Sequence, residues 1–336
     1  MSHILFVGDV HAQFEDLYDC TQLMSYVCQI VAKYHPEQVV FLGDLYHNHG
    51  IKNLEVERFW LDFFDQLVEA DHTNVIALVG NHDRSGNFTL ESTAMQVHRN
   101  VTVVDEPFKN GGGIVYLPYY HNPEDLVKAA QVHSDCGIAV CHAALSGGHY
   151  DNGAPIHSDS FLGKDVASPD DFPQHTIISG HIHAPSKFGK VWYMGSPRWL
   201  NMGDANRSRA IHLVEIDDGK IASSKEFSTD KVCRRTWQLT VTPEDACEAE
   251  FAQVQPKDRV LVNIRGPSAF CEESKRNLIV KGHRVRIFPT DRGTARVQES
   301  EGIPTAWAKH LASYSPKFGT PTHLLSKMFQ ERMPHV

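Results

Sequence analysis

The chain contains no run of about 18 apolar residues, so no segment reads as a membrane-spanning helix. A basic leader is also lacking. Met1-Ser2-His3 passes straight into Ile4-Leu5-Phe6-Val7, a run too short for a secretory signal. We see no internal repeats and no low-complexity tracts. Cysteine is sparse: there are 7, an odd number, and none is spaced as C-x-x-C. That usage argues against a disulfide framework and fits reduced, mostly buried thiols. The expectation is an intracellular, cytoplasmic protein with no membrane partner, in a cell or a phage-infected cell.

What is present is ordinary in bulk and unusual in detail. The 336 residues are 41% hydrophobic and 22% charged, as in a soluble globular protein of about two domains. Histidine stands out at 21. The net charge of −9 argues at first against nucleic acid, but it is unevenly spread. Residues 231–336 carry 17 Lys/Arg against 11 Asp/Glu, and residues 1–230 carry 15 against 30. An acidic body offset by bound divalent cations, beside a basic last third, is compatible with a phosphodiester partner. Two ordinary solvated surfaces would have the same composition.

Short apolar runs alternate with amphipathic stretches. Strands are expected at 3–8, 39–42, 75–79, 101–104, 114–117, 138–141, 176–179, 190–194 and 209–216. Helices are expected at 14–33, 53–70, 89–98 and 124–133. Residues 143–173, rich in Gly, Pro, Ser and Asp, read as a long surface loop. Asp217-Asp218-Gly219 reads as a hairpin turn. Near 230 the character changes, and 260–264, 268–280 and 283–287 suggest a small β-α-β unit.

Five strand ends carry polar side chains suited to metal: Asp9 with His11, Asp44, Asn81 with His82, His142, and His181 with His183. Alternate residues of an extended segment share a face, so Asp-x-His and His-x-His can each aim at one point. Carboxylate, imidazole and amide oxygen together suit Mn, Fe or Zn better than Ca or Mg alone. The donors suffice for two ions with one Asp as bridge. Each motif alone is weak; five in order at apolar strand ends are a strong signal.

Asp9-Val10-His11, Gly43-Asp44, Gly80-Asn81-His82-Asp83, His142 and Gly180-His181-Ile182-His183 resemble the ordered motifs of the calcineurin-like metallophosphoesterase superfamily. The resemblance implies an α/β fold, with two stacked mixed sheets flanked by helices (α/β/β/α), and a small C-terminal α+β cap. It implies one ion held by Asp9, His11, Asp44 and His183, and another by Asp44, Asn81, His142 and His181. His82 would protonate the leaving oxygen and Asp83 would orient its ring.

Gly43-Asp44-Leu45-Tyr46-His47 narrows the resemblance. Protein phosphatases of this superfamily carry G-D-x-x-D-R-G here. The form with His47 resembles the SbcD-type double-strand-break repair nucleases, in which this His serves the scissile phosphate region. Asn81-His82-Asp83-Arg84 agrees, and Gly195-Ser196-Pro197-Arg198 resembles a segment of the same nucleases. The resemblance implies a Mn2+-dependent DNA nuclease, with Mg2+, Fe2+ or Zn2+ as alternative ions. Single- or double-stranded DNA, an SbcC-like ATPase subunit and a second copy of the chain are its expected partners. Arg84, Arg198, Lys281, Arg284 and Arg286 are the candidate substrate-binding residues; a solvated face is the plainer reading of the last three. The rivals are a phosphoesterase for small molecules or proteins, and a chiefly structural partner of an ATPase.

Three domains are expected: a phosphoesterase body over 1–229, a DNA-binding cap over 230–300 and a helical tail over 301–336. In the tail, Ile303, Trp307 and Leu311 recur at helical spacing, and Leu324, Leu325, Met328 and Phe329 cluster. This tail either folds back on the cap or docks a partner.

Overall fold

The computed structural model describes residues 1–50, 52–71, 73–85, 94–99, 101–150, 153–157 and 166–291. The chain opens with β1 (Ser2–Val7), α1 (Leu17–Tyr34), β2 (Gln38–Phe41), α2 (Leu54–Asp71), β3 (Asn74–Leu78) and β4 (Val101–Val104). It continues through β5 (Phe108–Lys109), β6 (Ile114–Leu117), α3 (Pro123–Val132), β7 (Ile138–His142), β8 (Ala144–Leu145) and β9 (Val166–Ala167). Then come β10 (Thr176–Gly180), β11 (Ser186–Phe188), β12 (Val191–Tyr193), β13 (Ala210–Asp217) and β14 (Lys220–Ser228). The last described elements are β15 (Thr236–Val241), α4 (Glu248–Phe251), β16 (Arg259–Gly266), α5 (Ser268–Val280) and β17 (Arg284–Pro289).

Two mixed six-stranded sheets form, in the orders β14-β13-β1-β2-β3-β4 and β11-β12-β10-β7-β6-β5. In the first, β1 to β4 are parallel and β13 runs antiparallel to β1. In the second, β6, β7, β10 and β12 are parallel and β5 and β11 are antiparallel edges. Alternation along the strands explains the stacking. In β1, Leu5 and Val7 join the core under α1 and α2, whereas Ile4 and Phe6 join the core between the sheets. In β7, Ile138 and Val140 face that shared core, and Ala139 and Cys141 face the core with α3. Burial on both faces is why these strands read as unbroken apolar runs. The expected α/β/β/α architecture is the observed one.

The helices form for local reasons. In α1, Cys20, Leu23, Met24, Val27, Ile30 and Val31 are buried at three- and four-residue steps. It ends on His35 in the left-handed region, whose N–H donates to Val31 O. At α3, the Asn122 side chain accepts from Glu124 N and Pro123 takes the first turn.

Differences from the expected elements are few. The 143–173 loop contains the small parallel pair β8–β9. Of the helix expected at 89–98, 94–97 is a short 3-10 turn, and 86–93 lie outside the described residues. The hairpin turn at 217–219 is where expected and leads into β14; strand β15 was not foreseen. In β14 most side chains are exposed and polar, so pairing with β13 rather than an apolar pattern makes it a strand. The two tail clusters, at 303–311 and 324–329, also lie outside the described residues.

The chain divides into two units, 1–239 with 248–261, and 240–247 with 262–336. Strands β15, β16 and β17 form a three-stranded sheet in that order, and α5 packs on β17.

Candidate metal centre

The parallel strands of both sheets end together. Past β1 come Asp9 and His11, past β2 Asp44, past β3 Asn81 and His82, on the last residue of β7 His142, and past β10 His181 and His183. Three of these residues hold left-handed backbone: His11 at φ 48°, Asp44 at φ 51° and His181 at φ 75°. A non-glycine residue there is strained by of order 1–3 kcal/mol and persists only where its surroundings fix it. They do. His11 N donates to Asp44 O at 2.8 Å, Ala12 N to Leu45 O at 2.7 Å and His47 N to Ala12 O at 3.1 Å.

Asp44 divides its oxygens between backbone and centre, whereas one oxygen of Asp9 does both. Asp44 Oδ1 accepts from His82 N at 2.8 Å, and its Oδ2 lies 3.3 Å from His11 Nε2 and 3.4 Å from His142 Nε2. Asp9 Oδ2 accepts from His181 N at 2.8 Å and lies 3.8 Å from His183 Nε2. Asn81 Oδ1 is 3.0 Å from His142 Nε2 and 3.1 Å from His181 Nδ1. His142 Nδ1 donates to Leu42 O at 2.8 Å, which turns Nε2 towards Asp44. Backbones approach closely here. A Cβ on Gly80 would stand 2.2 Å from Asp44 Oδ1, and one on Gly180 would stand 2.6 Å from Asp9 Oδ1.

These donors fit divalent cations. Asp9 Oδ1 is buried without a hydrogen bond. The ring nitrogens of His11 and His183 stand 3.2 Å apart, and those of His142 and His181 3.3 Å apart. Two imidazole lone pairs so placed repel unless a proton or a cation lies between them. Potential ligand atoms converge in three groups: Asp9 with His11 and His183, His11 with Asp44 and His82, and Asp44 with His142 and His181. Charge in the centre is unevenly distributed. Burial, reinforced by Asp44 and opposed by His142, pushes Asp9 up to about 6. Burial also opposes ionisation of Asp44, but His142 and His11 hold it well below the usual carboxylate range. Burial works against a charge on His142 too, yet Asp44 and Asp9 raise it to about 9.

All seven expected ligands therefore meet, with His82 beside them. The His82 ring lies 4.6 Å from that of His11, and its Nδ1 donates to the carbonyl of His47 at 2.6 Å. The His47 ring is 5.5 Å from His11 and 5.9 Å from His82. Arg84 is half-buried, and burial works against its charge. Lys281, Arg284 and Arg286 belong to the second unit.

Two expected roles need correction. Asp83 does not orient the His82 ring, because its carboxylate accepts from Gly80 N at 2.9 Å and Tyr46 N at 3.1 Å. It ties two ligand loops together, and the His47 carbonyl does the orienting. Arg198 does not face a substrate; it is 1% exposed. Its Nε donates to Val10 O at 2.7 Å and its Nη2 to His11 O at 2.8 Å. Ser196 Oγ donates to Asp9 O at 2.8 Å, so the 196–198 turn grips three successive carbonyls of the first ligand loop. Asp16 and Asp19 balance the guanidinium at 3.4 and 3.5 Å. Arg198→Met strips the Val10 and His11 carbonyls of their donors, while Asp16 keeps Arg234 and Arg259. The expected cost is about 1–3 kcal/mol for each buried acceptor left unsatisfied, read as a lower urea midpoint together with weaker metal binding. An unchanged midpoint would refute it.

Sequence reading overlooked His49 and Lys52. The His49 ring stacks 4.1 Å from that of His82. Lys52 Nζ donates to His82 O at 3.0 Å and Asn48 O at 2.8 Å. The available signal for His49 was its place two residues after His47.

A model of the family described as calcineurin-like phosphoesterase matches residues 2–185, the stretch that holds every one of these ligands. No curated protein matches the chain. Among solved structures, the phosphoesterase Yfce from E. coli is 14% identical, over 66% of this chain and 98% of its own, with a TM-score of 0.31. The nuclease MPE from Pseudomonas putida is 15% identical, over 65% of this chain and 86% of its own, with a TM-score of 0.29. Likenesses this distant do not identify a substrate.

Proposed function

We propose that this chain, which belongs to the calcineurin-like phosphoesterase family and is a metal-dependent phosphoesterase, is a DNA nuclease of the SbcD type. The observation that carries the reading is His47. It follows Asp44 on the same loop, its carbonyl holds His82, and its exposed ring stands beside those of His82 and His11. The basic balance of residues 231–336 supports a polyanionic substrate.

Two divalent ions, with Mn2+ the proposed species, would supply Lewis acidity and a nucleophilic water when bound. Asp9, His11, Asp44 and His183 would hold one, and Asp44, Asn81, His142 and His181 the other. The side chains around them handle the proton. A carbonyl only accepts, so His82 carries hydrogen on Nδ1; only as imidazolium does it also carry one on Nε2, and that second proton is the one it would give the leaving oxygen, returning to neutral imidazole. The His47 ring provides a further donor where phosphate charge grows. Cleavage partners in this proposal are an SbcC-like ATPase and a second copy of the chain, in the cytoplasm.

The test uses linear single- and double-stranded DNA beside small phosphodiesters, each with Mn2+ and with chelator. Expected is Mn2+-dependent loss of DNA, abolished by chelation. DNA left intact under Mn2+, Mg2+, Fe2+ and Zn2+, beside rapid cleavage of the small esters, would transfer the site to a small-molecule phosphodiesterase.

A further inference from the structure

In the second unit, the end of β16 and all of β17 share one basic, aromatic face. Along β17 exposure alternates, with Arg284, Arg286 and Phe288 outward and Val285 and Ile287 partly buried. Residues two apart share a face of a strand, so the three outward side chains form one row. Arg265 on β16 joins them: its guanidinium lies 5.3 Å from the centre of the Phe288 ring. The ring itself is 44% exposed, unusual for a phenylalanine in a sheet.

Charge on this face is of one sign. None of β15, β16 and β17 contains Asp or Glu. Among the described residues no carboxylate pairs with Arg265, Arg284 or Arg286. The following Asp291 is engaged by Ser268 N at 2.8 Å and Ser268 Oγ at 2.5 Å.

We propose that Arg265, Arg284, Arg286 and Phe288 form a binding platform for single-stranded nucleic acid, with a base stacked on Phe288 and phosphates tracking the arginines. A solvated basic face needs no exposed ring, whereas a strand of unpaired bases uses both features. Duplex bases already stack on one another and cannot lie flat on a ring set in a sheet. Arg265 beside Phe288 adds a cation to the stack. The proposal deepens the nuclease reading, on which its biological sense rests, but binding and hydrolysis are measured separately.

The experiment is fluorescence anisotropy on the full chain in EDTA, with a labelled thymidine oligonucleotide of about 12 nucleotides. A hairpin duplex with as many phosphates, a uridine strand and inorganic polyphosphate complete the set. The single strand is expected to bind at least about tenfold more tightly than the duplex. Phe288→Ala should weaken it about tenfold, and Phe288→Trp should restore it. Arg284→Gln with Arg286→Gln should reduce the slope of log affinity against log salt by about 1.4. Equal binding of the uridine strand supports the platform for either sugar. Unchanged affinity in Phe288→Ala, with circular dichroism confirming the fold, overturns it; so does polyphosphate or duplex competing as well as the single strand. DNA bound through Phe288 but never cleaved under Mn2+ fails the nuclease reading and leaves the platform standing. Cleavage with no dependence of binding on Phe288 does the reverse.

Discussion

Asp44→Asn is expected to fold normally and to lose both bound metal and phosphodiester hydrolysis. The asparagine keeps an oxygen where Oδ1 accepts from His82 N, so the loop contact survives. What disappears is the charge at Oδ2, which stands between His11 Nε2 and His142 Nε2 at 3.3 and 3.4 Å. Asp44 is 2% exposed, so no solvent makes up the loss. Changing even a residue that only supports a metal ligand lowers metal affinity by about 10–100-fold. Loss of a charged oxygen that two ligand groups share should lower it by at least about 10²-fold. Metal content after desalting and the rate at limiting Mn2+ should fall together. A variant that retains full metal and full turnover would show that Asp44 is not the residue the two ligand groups share.

The metal centre was unusually legible because of where it sits. Strands buried on both faces announce themselves as apolar runs, and such runs stop abruptly at a ligand. Asp9, Asp44, Asn81, His142 and His181 could therefore be ranked as one set before any geometry was known. The grip on that set was not legible. Arg198 lies 188 residues from Val10, whose carbonyl it holds, and nothing local in Gly195-Ser196-Pro197-Arg198 signals a buried side chain. Reading it as a phosphate binder treated an arginine near a motif as exposed. Asp83 was misjudged for a related reason: adjacency in sequence suggested His82, but a tight turn sends its carboxylate to Gly80 N and Tyr46 N. The left-handed φ of His11, Asp44 and His181 was equally invisible, because sequence signals such backbone only where glycine supplies it.

His82→Ala separates the two functions that the opening of the centre combines. His82 stands in one group with His11 and Asp44, which by proximity alone could make it a ligand. Its ring is otherwise tied. Nδ1 donates to the His47 carbonyl at 2.6 Å, and His49 stacks on one face at 4.1 Å. Lys52 fixes its backbone carbonyl at 3.0 Å. This is the support a proton donor needs, since a leaving oxygen must be met at a fixed point. Positioned acid catalysis contributes about 10²–10⁴-fold. Hydrolysis of DNA by His82→Ala should fall by that amount, with metal content unchanged. The loss should depend on the leaving group. A deoxyribose alkoxide must be protonated as it departs, but p-nitrophenolate leaves as a stable anion. Bis(p-nitrophenyl) phosphate should therefore be cleaved by the variant at close to the parent rate. A drop in bound metal would make His82 a ligand instead. An equal loss on both substrates would remove it from the proton transfer altogether.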